Sequence, residues 1–188
     1  MTRRMTGRYP GYTCGEHTLV NNIEDCERIV NAMHACLLKV PWSGSGKGLN
    51  WCLHGFTKPV SNWCERILRE QGCLTAEPIY NKVEDFALEF YSDGCGGVRF
   101  AGYSMFSTNE HGAYTGNLLA SDGQIEEIIA RYLPLEKLER IREALRTELA
   151  SVYGYTYTGY LGVDMMICRQ DKENKYLCLL YTSPSPRD

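Results

Sequence analysis

The sequence predicts an α+β fold in which helices pack on a mixed, largely antiparallel β-sheet. Four segments repeat apolar residues at the helical period, and shorter apolar segments bounded by turn residues lie between and after them. No internal repeat and no linker-like composition interrupts this pattern. A chain of 188 residues is long enough to bury a core of its own.

The predicted helices are the segments with apolar residues at helical spacing: 22–35, 61–71, 121–132 and 134–152. Ser61 and Ser121 are placed to cap the second and third helices at their N-termini. Gly72 is placed to end the second helix, and Pro134 suits the start of the fourth.

The predicted strands are short apolar segments flanked by turn residues: 36–40, 73–80, 85–91, 98–106, 113–119, 160–168, and a last strand that begins at Lys175. The glycine-rich sequence S-D-G-C-G-G lies between the third and fourth of these segments. It predicts a hairpin that joins 85–91 to 98–106.

The charge balance argues against several classes of partner. The chain has 20 Lys and Arg residues against 23 Asp and Glu, a net charge of −3, and no basic block. A nucleic-acid or anionic-membrane surface is therefore not expected. No apolar run approaches the ~20 residues of a membrane span, and the basic N-terminus lacks the apolar stretch of a secretory signal. We expect a soluble cytoplasmic protein with a single core.

The last eleven residues, Cys178–Asp188, read C-L-L-Y-T-S-P-S-P-R-D. They resemble the in-frame translation of a transposon-type sequencing adapter at every position. A flexible terminus rich in proline and serine is the alternative. We therefore expect the natural part of the chain to be residues 1–177, and the reading frame to have been cut short.

Eight cysteines remain outside that segment, with no C-x-x-C pair and no two closer than nine residues. This spacing does not fit the usual zinc patterns, and no secretory signal accompanies it as in disulfide scaffolds. We expect reduced thiols, most of them packed as small hydrophobic side chains, with a catalytic cysteine as the alternative.

The segment from Lys39 to Leu49, K-V-P-W-S-G-S-G-K-G-L, is the most informative part of the sequence. It is not a P-loop, because Pro41 stands where the first glycine is needed and Gly48 where Ser or Thr is needed. It is not a Rossmann fingerprint either, because no helix is predicted directly after it. Its glycines, serines and lysines can still supply N–H groups, hydroxyls and positive charge to a phosphate chain. A flexible surface turn is the alternative.

The order of these elements resembles the ATP-grasp superfamily. The resemblance rests on a strand that ends in Lys-x-Pro, the Ser/Gly loop, a helix, a strand with an acidic residue before a turn, and a late strand that reads G-V-D. It covers most of residues 13–177, and bacterial members carry similar K-A-P-W-S-G-S-G-R-G and G-V-D-M-M segments. The family implies ATP and Mg²⁺ as cofactors and does not indicate the substrate.

The resemblance implies which residues bind the phosphates. Lys39 matches the strand-end lysine of the family. The mobile loop over the β- and γ-phosphates matches Ser43, Gly44, Ser45, Gly46, Lys47 and Gly48. For Lys39 the alternative is a strand-end lysine whose stem lies on apolar surface.

The resemblance also implies how adenine is bound. Glu77 matches the acid near the adenine amino group, and Ile79 and Tyr80 would offer backbone groups to the ring edge. For Glu77 the alternative is a solvated strand end.

Two further carboxylates complete the predicted site. Asp85 is assigned to the ribose hydroxyls, with its neighbour Glu84 left open as a rival. Asp164 matches a carboxylate that holds Mg²⁺, a hard ion that prefers oxygen ligands. A carboxylate inside an apolar strand is rarely there for packing, which favours a functional role for Asp164.

The sequence departs from the family at both ends, where we expect the fold to be incomplete. We expect 1–20 to be a remnant of a preceding segment, 21–80 the nucleotide lid and 81–177 a second subdomain. The family usually carries a second Mg²⁺ carboxylate and an asparagine on the strand after G-V-D, and here that strand has barely begun at Cys178. We therefore expect weak ATP binding and no turnover. Sub-micromolar Mg·ATP affinity that Lys39→Ala abolishes would contradict this expectation.

For the intact parent protein, the resemblance implies an ATP-dependent ligase that activates a carboxylate as an acylphosphate for attack by an amine or thiol. The sequence offers no credible catalytic triad, which agrees with chemistry that needs no protein nucleophile. A phosphotransferase on the same nucleotide fold is one alternative, identified by a phosphorylated product without ligation. A non-catalytic nucleotide-binding module is the other, identified by ATP binding without ADP release.

Overall fold

The computed structural model describes residues 13–42, 48–170, 175–180 and 185–186. The helices in these ranges are α1 (Ile23–Met33), α2 (Lys58–Gln71), α3 (Asp122–Ala130) and α4 (Leu135–Tyr153). The strands are β1 (Thr13–Cys14), β2 (Thr18–Val20), β3 (Cys36–Lys39), β4 (Leu49–Cys52), β5 (Leu74–Pro78), β6 (Lys82–Asp93), β7 (Val98–Thr108), β8 (Tyr114–Leu118), β9 (Thr158–Gln170), β10 (Lys175–Leu180) and β11 (Ser185–Pro186). The predicted α+β class is confirmed. None of the helices in the described ranges is long and apolar enough to cross a membrane.

The chain divides into two compact units. Unit 1 comprises Met1–Gly15, Asn81–Ser107 and Gly116–Asp188, and unit 2 comprises Glu16–Tyr80 and Thr108–Thr115. The predicted boundaries at residues 20, 80 and 177 stay predictions.

Unit 2 contains an antiparallel sheet with the described strands in the order β2-β5-β3-β4. Helices α1 and α2 cover one face, because their apolar stripes pack with alternate residues of the strands in one core cluster. The Asn22 side chain begins α1 by accepting a hydrogen bond from the backbone N–H of Asp25 at 2.8 Å. Gly72 ends α2 in a left-handed conformation with φ 76°, as the sequence predicts.

Unit 1 is built on a larger mixed sheet in which the described strands follow the order β1-β10-β9-β6-β7-β8, with β11 also paired to β9. The long strands β6, β7 and β9 are antiparallel, and the predicted hairpin joins β6 to β7. Alternate residues of β6, such as Phe86 and Leu88, pack with Ile141 and Leu145 of α4 in one core. Helices α3 and α4 therefore cover one face of this sheet.

Two details differ from the sequence predictions. Helix α2 begins at Lys58 and not at Ser61, because Thr57 takes the cap position and a proline fits the first turn. Strands β1, β2, β4 and β11 were not predicted, since two to four residues are too few to show a period. Most of the cysteines are buried, while Cys95 is exposed in the hairpin turn.

Strand β10 includes the first residues of the predicted adapter-derived segment. Cys178 and Leu179 are buried there, opposite Ile167 and Met166 of β9. The apolar start of this segment is therefore compatible with a sheet position, whatever its origin.

Candidate functional site

An ion pair lies in the middle of the unit 2 sheet. The Lys39 ammonium is 2.5 Å from the Glu77 carboxylate, and these side chains are only 19% and 18% exposed. They extend from adjacent strands, with Lys39 opposite Thr75 and Glu77 opposite Leu37. The residues that alternate with them are in the core, so the ion pair lies on the face away from α1 and α2.

Apolar side chains surround this ion pair on the same face. They come from all the strands except β5 and are Leu19, Leu37, Leu49 and Trp51. An apolar surface with a cation and an anion at its centre can contact a flat ring and also a charged group attached to it. We name this surface the open face of unit 2.

The two ends of the predicted phosphate loop lie close together. The Val40 N–H donates to the Gly48 carbonyl oxygen at 3.0 Å, and Gly48 has φ 78°, a conformation that favours glycine. The backbone N–H of Trp42 donates to the Gln71 side-chain oxygen at 3.1 Å. The other predicted loop residues lie outside the described residues: Ser43, Gly44, Ser45, Gly46 and Lys47.

The residues predicted to bind adenine lie at the end of β5. Ile79 and Tyr80 follow this strand directly and are partly exposed. The Tyr80 hydroxyl accepts a hydrogen bond from the Glu16 N–H at 2.9 Å. Because the Glu77 carboxylate already contacts Lys39, a nucleotide at this position has to share or replace that contact.

Three carboxylates share one face of the unit 1 sheet. Asp85 and Glu89 lie on β6, and Asp164 on β9 is opposite Ala87, midway between them. The alternating residues of both strands point into the core beneath α3 and α4. The carboxylates therefore lie on the face away from these helices.

Burial and register separate the two candidates for the ribose contact. Asp85 is only 4% exposed, and its carboxylate lies 2.6 Å from the Lys82 ammonium, which compensates for its burial. Glu84 is opposite Ile167, a residue of the core beneath the helices. Only Asp85 shares a sheet face with Asp164, which favours Asp85 over Glu84 as the candidate for the ribose contact.

The described residues do not by themselves form a magnesium site. Asp164 is partly exposed between the core residues Val163 and Met165. In the ranges that the structure covers, no group of three or more His, Cys, Asp or Glu residues is arranged to hold a metal ion. Asp164 stays a predicted ligand.

Sequence reasoning missed Glu89. The signal was present in the segment F-A-L-E-F, because Phe86, Leu88 and Phe90 alternate on the core face and leave Glu89 on the other. Without the register of β9, nothing connected this residue with Asp164.

No family model and no curated protein matches the sequence. Solved structures match the fold at low identity. The biotin carboxylase domain of the 2-oxoglutarate carboxylase from Hydrogenobacter thermophilus, in complex with MgADP, ADP and bicarbonate, is 14% identical with a TM-score of 0.65, and the match covers 97% of this chain and 39% of that chain. The N5-carboxyaminoimidazole synthetase from Staphylococcus aureus, complexed with ADP, is 14% identical with a TM-score of 0.59 and coverages of 98% and 43%.

D-alanyl-alanine synthetase A from Vibrio cholerae is 10% identical, with a TM-score of 0.54 and coverages of 94% and 52%. These three proteins are ATP-grasp enzymes, and the predicted ATP-grasp fold is thereby confirmed. The chain spans 39–52% of their lengths.

Proposed function

We propose that this chain is the ATP-binding part of an ATP-dependent ligase that joins a carboxylate to an amine or a thiol. The observation that carries the proposal is the Lys39–Glu77 pair at the centre of the open face of unit 2. The ATP-grasp fold supports it, since two of the similar structures hold ADP or MgADP.

Each predicted residue has a role in this proposal. Lys39 binds the phosphates, together with the loop Ser43, Gly44, Ser45, Gly46, Lys47 and Gly48. Glu77 accepts a hydrogen bond from the adenine amino group, and the backbone of Ile79 and Tyr80 contacts the ring edge. Asp85 binds the ribose hydroxyls. Asp164 is the proposed Mg²⁺ ligand.

The proposed reaction passes through an acylphosphate. An oxygen of the substrate carboxylate attacks the γ-phosphorus of ATP, the bond to the β-phosphate oxygen breaks, and ADP leaves. The amine or thiol then attacks the acyl carbon, and phosphate leaves. In this proposal Lys39 and Lys47 stabilise the charge that spreads over the phosphoryl oxygens during the first step, because a cation offsets the negative charge of the transferring group.

Binding of ATP to the chain tests the nucleotide site. We expect saturation-transfer NMR to detect weak binding through the adenine protons, and Lys39→Ala to weaken it by about tenfold or more, since a charge-assisted hydrogen bond is worth about 1.5–3 kcal/mol. Lys58→Ala is the matched control, because it removes an exposed lysine of the same unit. Equal affinities for the Lys39→Ala and Lys58→Ala variants would refute the assignment of Lys39.

The ligase chemistry is tested on a parent gene product that continues beyond residue 177. ADP release that requires both a carboxylate and an amine or thiol, with formation of the ligated product, supports the proposal. A phosphorylated product without ligation would identify a phosphotransferase. ATP binding without ADP release would identify a non-catalytic module.

A further inference from the structure

Four cysteines lie together in the core of unit 2. They come from four different elements: Cys26 from α1, Cys36 from β3, Cys52 from β4 and Cys64 from α2. Each is at most 1% exposed, and all belong to the same core cluster. The open face of unit 2 is on the other side of the sheet, so the proposed nucleotide site makes no use of these thiols.

The four thiols form two pairs. Cys36 and Cys52 are directly opposite each other on antiparallel strands, where Cα atoms are about 4.5–5.5 Å apart. This separation lies inside the range of about 4.4–6.8 Å that a disulfide needs. Cys26 and Cys64 come from α1 and α2, which pack against each other in this core.

The two thiols of each pair titrate as a coupled unit. Each thiol is the largest influence on the pKa of its partner, and burial acts to raise the pKa of all four. Once one thiol of a pair has lost its proton, the second therefore holds its own proton more tightly.

The arrangement favours disulfide chemistry over metal binding. A structural zinc or iron–sulfur site needs its thiolates around one point. Among the described residues no group of three or more potential ligands is arranged in that way. The contacts are pairwise, which is what a disulfide requires.

We propose that Cys36–Cys52 and Cys26–Cys64 are redox-active thiol pairs that a hydroperoxide converts into two disulfides within the core of unit 2. One thiol gives up its proton, its sulfur attacks an oxygen of the peroxide, and the O–O bond breaks. The leaving hydroxide or alkoxide takes up that proton as the sulfenic acid forms. The partner thiol then attacks the sulfenic sulfur, the S–S bond forms and water leaves. Each pair is oxidised by two electrons, and one hydroperoxide is reduced.

The oxidation changes the stability of the unit and not its fold. One disulfide closes the hairpin formed by β3 and β4, and the other connects α1 to α2. Both restrict the unfolded chain and therefore favour the folded state. Because the thiols are buried, the hydroperoxide reacts only when the unit opens locally, so the oxidation is slower than that of the exposed Cys95.

Peptide mapping of the full chain tests the pairing. The fully reduced protein is treated with hydrogen peroxide under native conditions, the remaining thiols are alkylated in denaturant, and the digest is analysed by mass spectrometry. We expect one linked peptide that joins Cys36 to Cys52 and another that joins Cys26 to Cys64. Recovery of all four cysteines as alkylated thiols, or pairs mixed at random, would overturn the proposal.

Thermal unfolding tests the consequence. After peroxide treatment the unfolding midpoint, followed by tryptophan fluorescence, should rise by about 5–10 °C and return when dithiothreitol is added. The double variant Cys52→Ala/Cys64→Ala should lose the rise, whereas the control Cys95→Ser should keep it. A midpoint of the wild-type chain that peroxide leaves unchanged contradicts the inference. If the double variant does not fold, the wild-type peptide map decides alone.

Discussion

Replacing Glu77 by glutamine tests whether the ion pair on the open face stabilises unit 2. The change keeps the shape of the side chain and removes a negative charge 2.5 Å from the Lys39 ammonium. The lysine charge then faces an amide oxygen in a position that is shielded from water, where a carboxylate is the stronger partner. We expect the free energy of unfolding to fall.

The size of this loss follows from the burial of the pair. An exposed ion pair contributes about 0–1 kcal/mol, and breaking a fully buried one costs about 3–5 kcal/mol. At 19% and 18% exposure, the Lys39–Glu77 pair lies between these limits, so we expect a loss of about 1–3 kcal/mol. With a urea m-value of about 1–2 kcal/mol/M, the midpoint of urea unfolding should fall by about 0.5–3 M.

Tryptophan fluorescence reports the unfolding of unit 2, which contains the ion pair. The chain contains three tryptophans, Trp42, Trp51 and Trp63, and all of them belong to unit 2. Trp63 packs against the core of that unit, so its emission changes when the unit unfolds. Urea titrations of the wild-type chain and the variant give the difference in unfolding free energy.

A second ion pair of unit 2 provides the matched control. Arg66 and Glu70 are 3.5 Å apart on α2, and their side chains are about half exposed. The same chemical change, Glu70→Gln, should cost only about 0.3–0.5 kcal/mol. If Glu77→Gln costs no more than Glu70→Gln, the burial argument is wrong.

Other perturbations address the rest of the chain. Ile141→Ala removes a fully buried side chain from the core of unit 1. Denaturant titrations followed by circular dichroism should show an unfolding free energy lower by about 2–5 kcal/mol. A smaller loss would contradict the close packing of Ile141. Asn22→Ala removes the oxygen that accepts the hydrogen bond from the Asp25 N–H. It should lower the unfolding free energy of unit 2 by about 1 kcal/mol, whereas an unchanged value would show that Asn22 does not stabilise the start of α1. Two backbone N–H bonds lower the pKa of the Asp93 carboxyl. The ionised Asp93 carboxylate therefore stabilises the folded state above the unfolded pKa of about 3.9, and this contribution is lost as the pH falls through the lower folded pKa. In the Asp93→Asn variant the unfolding free energy should therefore depend less on pH below about pH 4.

Much of the fold could be predicted from local patterns. The four helices and the β6–β7 hairpin were predicted because apolar periodicity, caps and glycine turns act within a few residues. The start of α2 was wrong by one turn, since Thr57 and not Ser61 occupies the cap position. Strands β1, β2 and β4 carry too few residues to show a period, and only their partners define them.

The sequence predicted individual residues of the candidate site but not which of them contact each other. The resemblance assigned Lys39 and Glu77 to different parts of a nucleotide, and the structure brings the two into contact. It also places Asp85, Glu89 and Asp164 on one face, although the sequence had singled out only two of them. These juxtapositions depend on strand order and register, which no local pattern encodes.

Local sequence patterns set the α+β class, the helices and the residue types that a nucleotide site requires, because these depend on residues close together along the chain. Which side chains meet depends instead on tertiary packing. Strand β3 lies between β4 and β5, so Cys36 faces Cys52 on one side while Lys39 reaches Glu77 on the other. Burial of the apolar faces fixes the register of the sheet, and the register then brings together residues that are far apart in the chain.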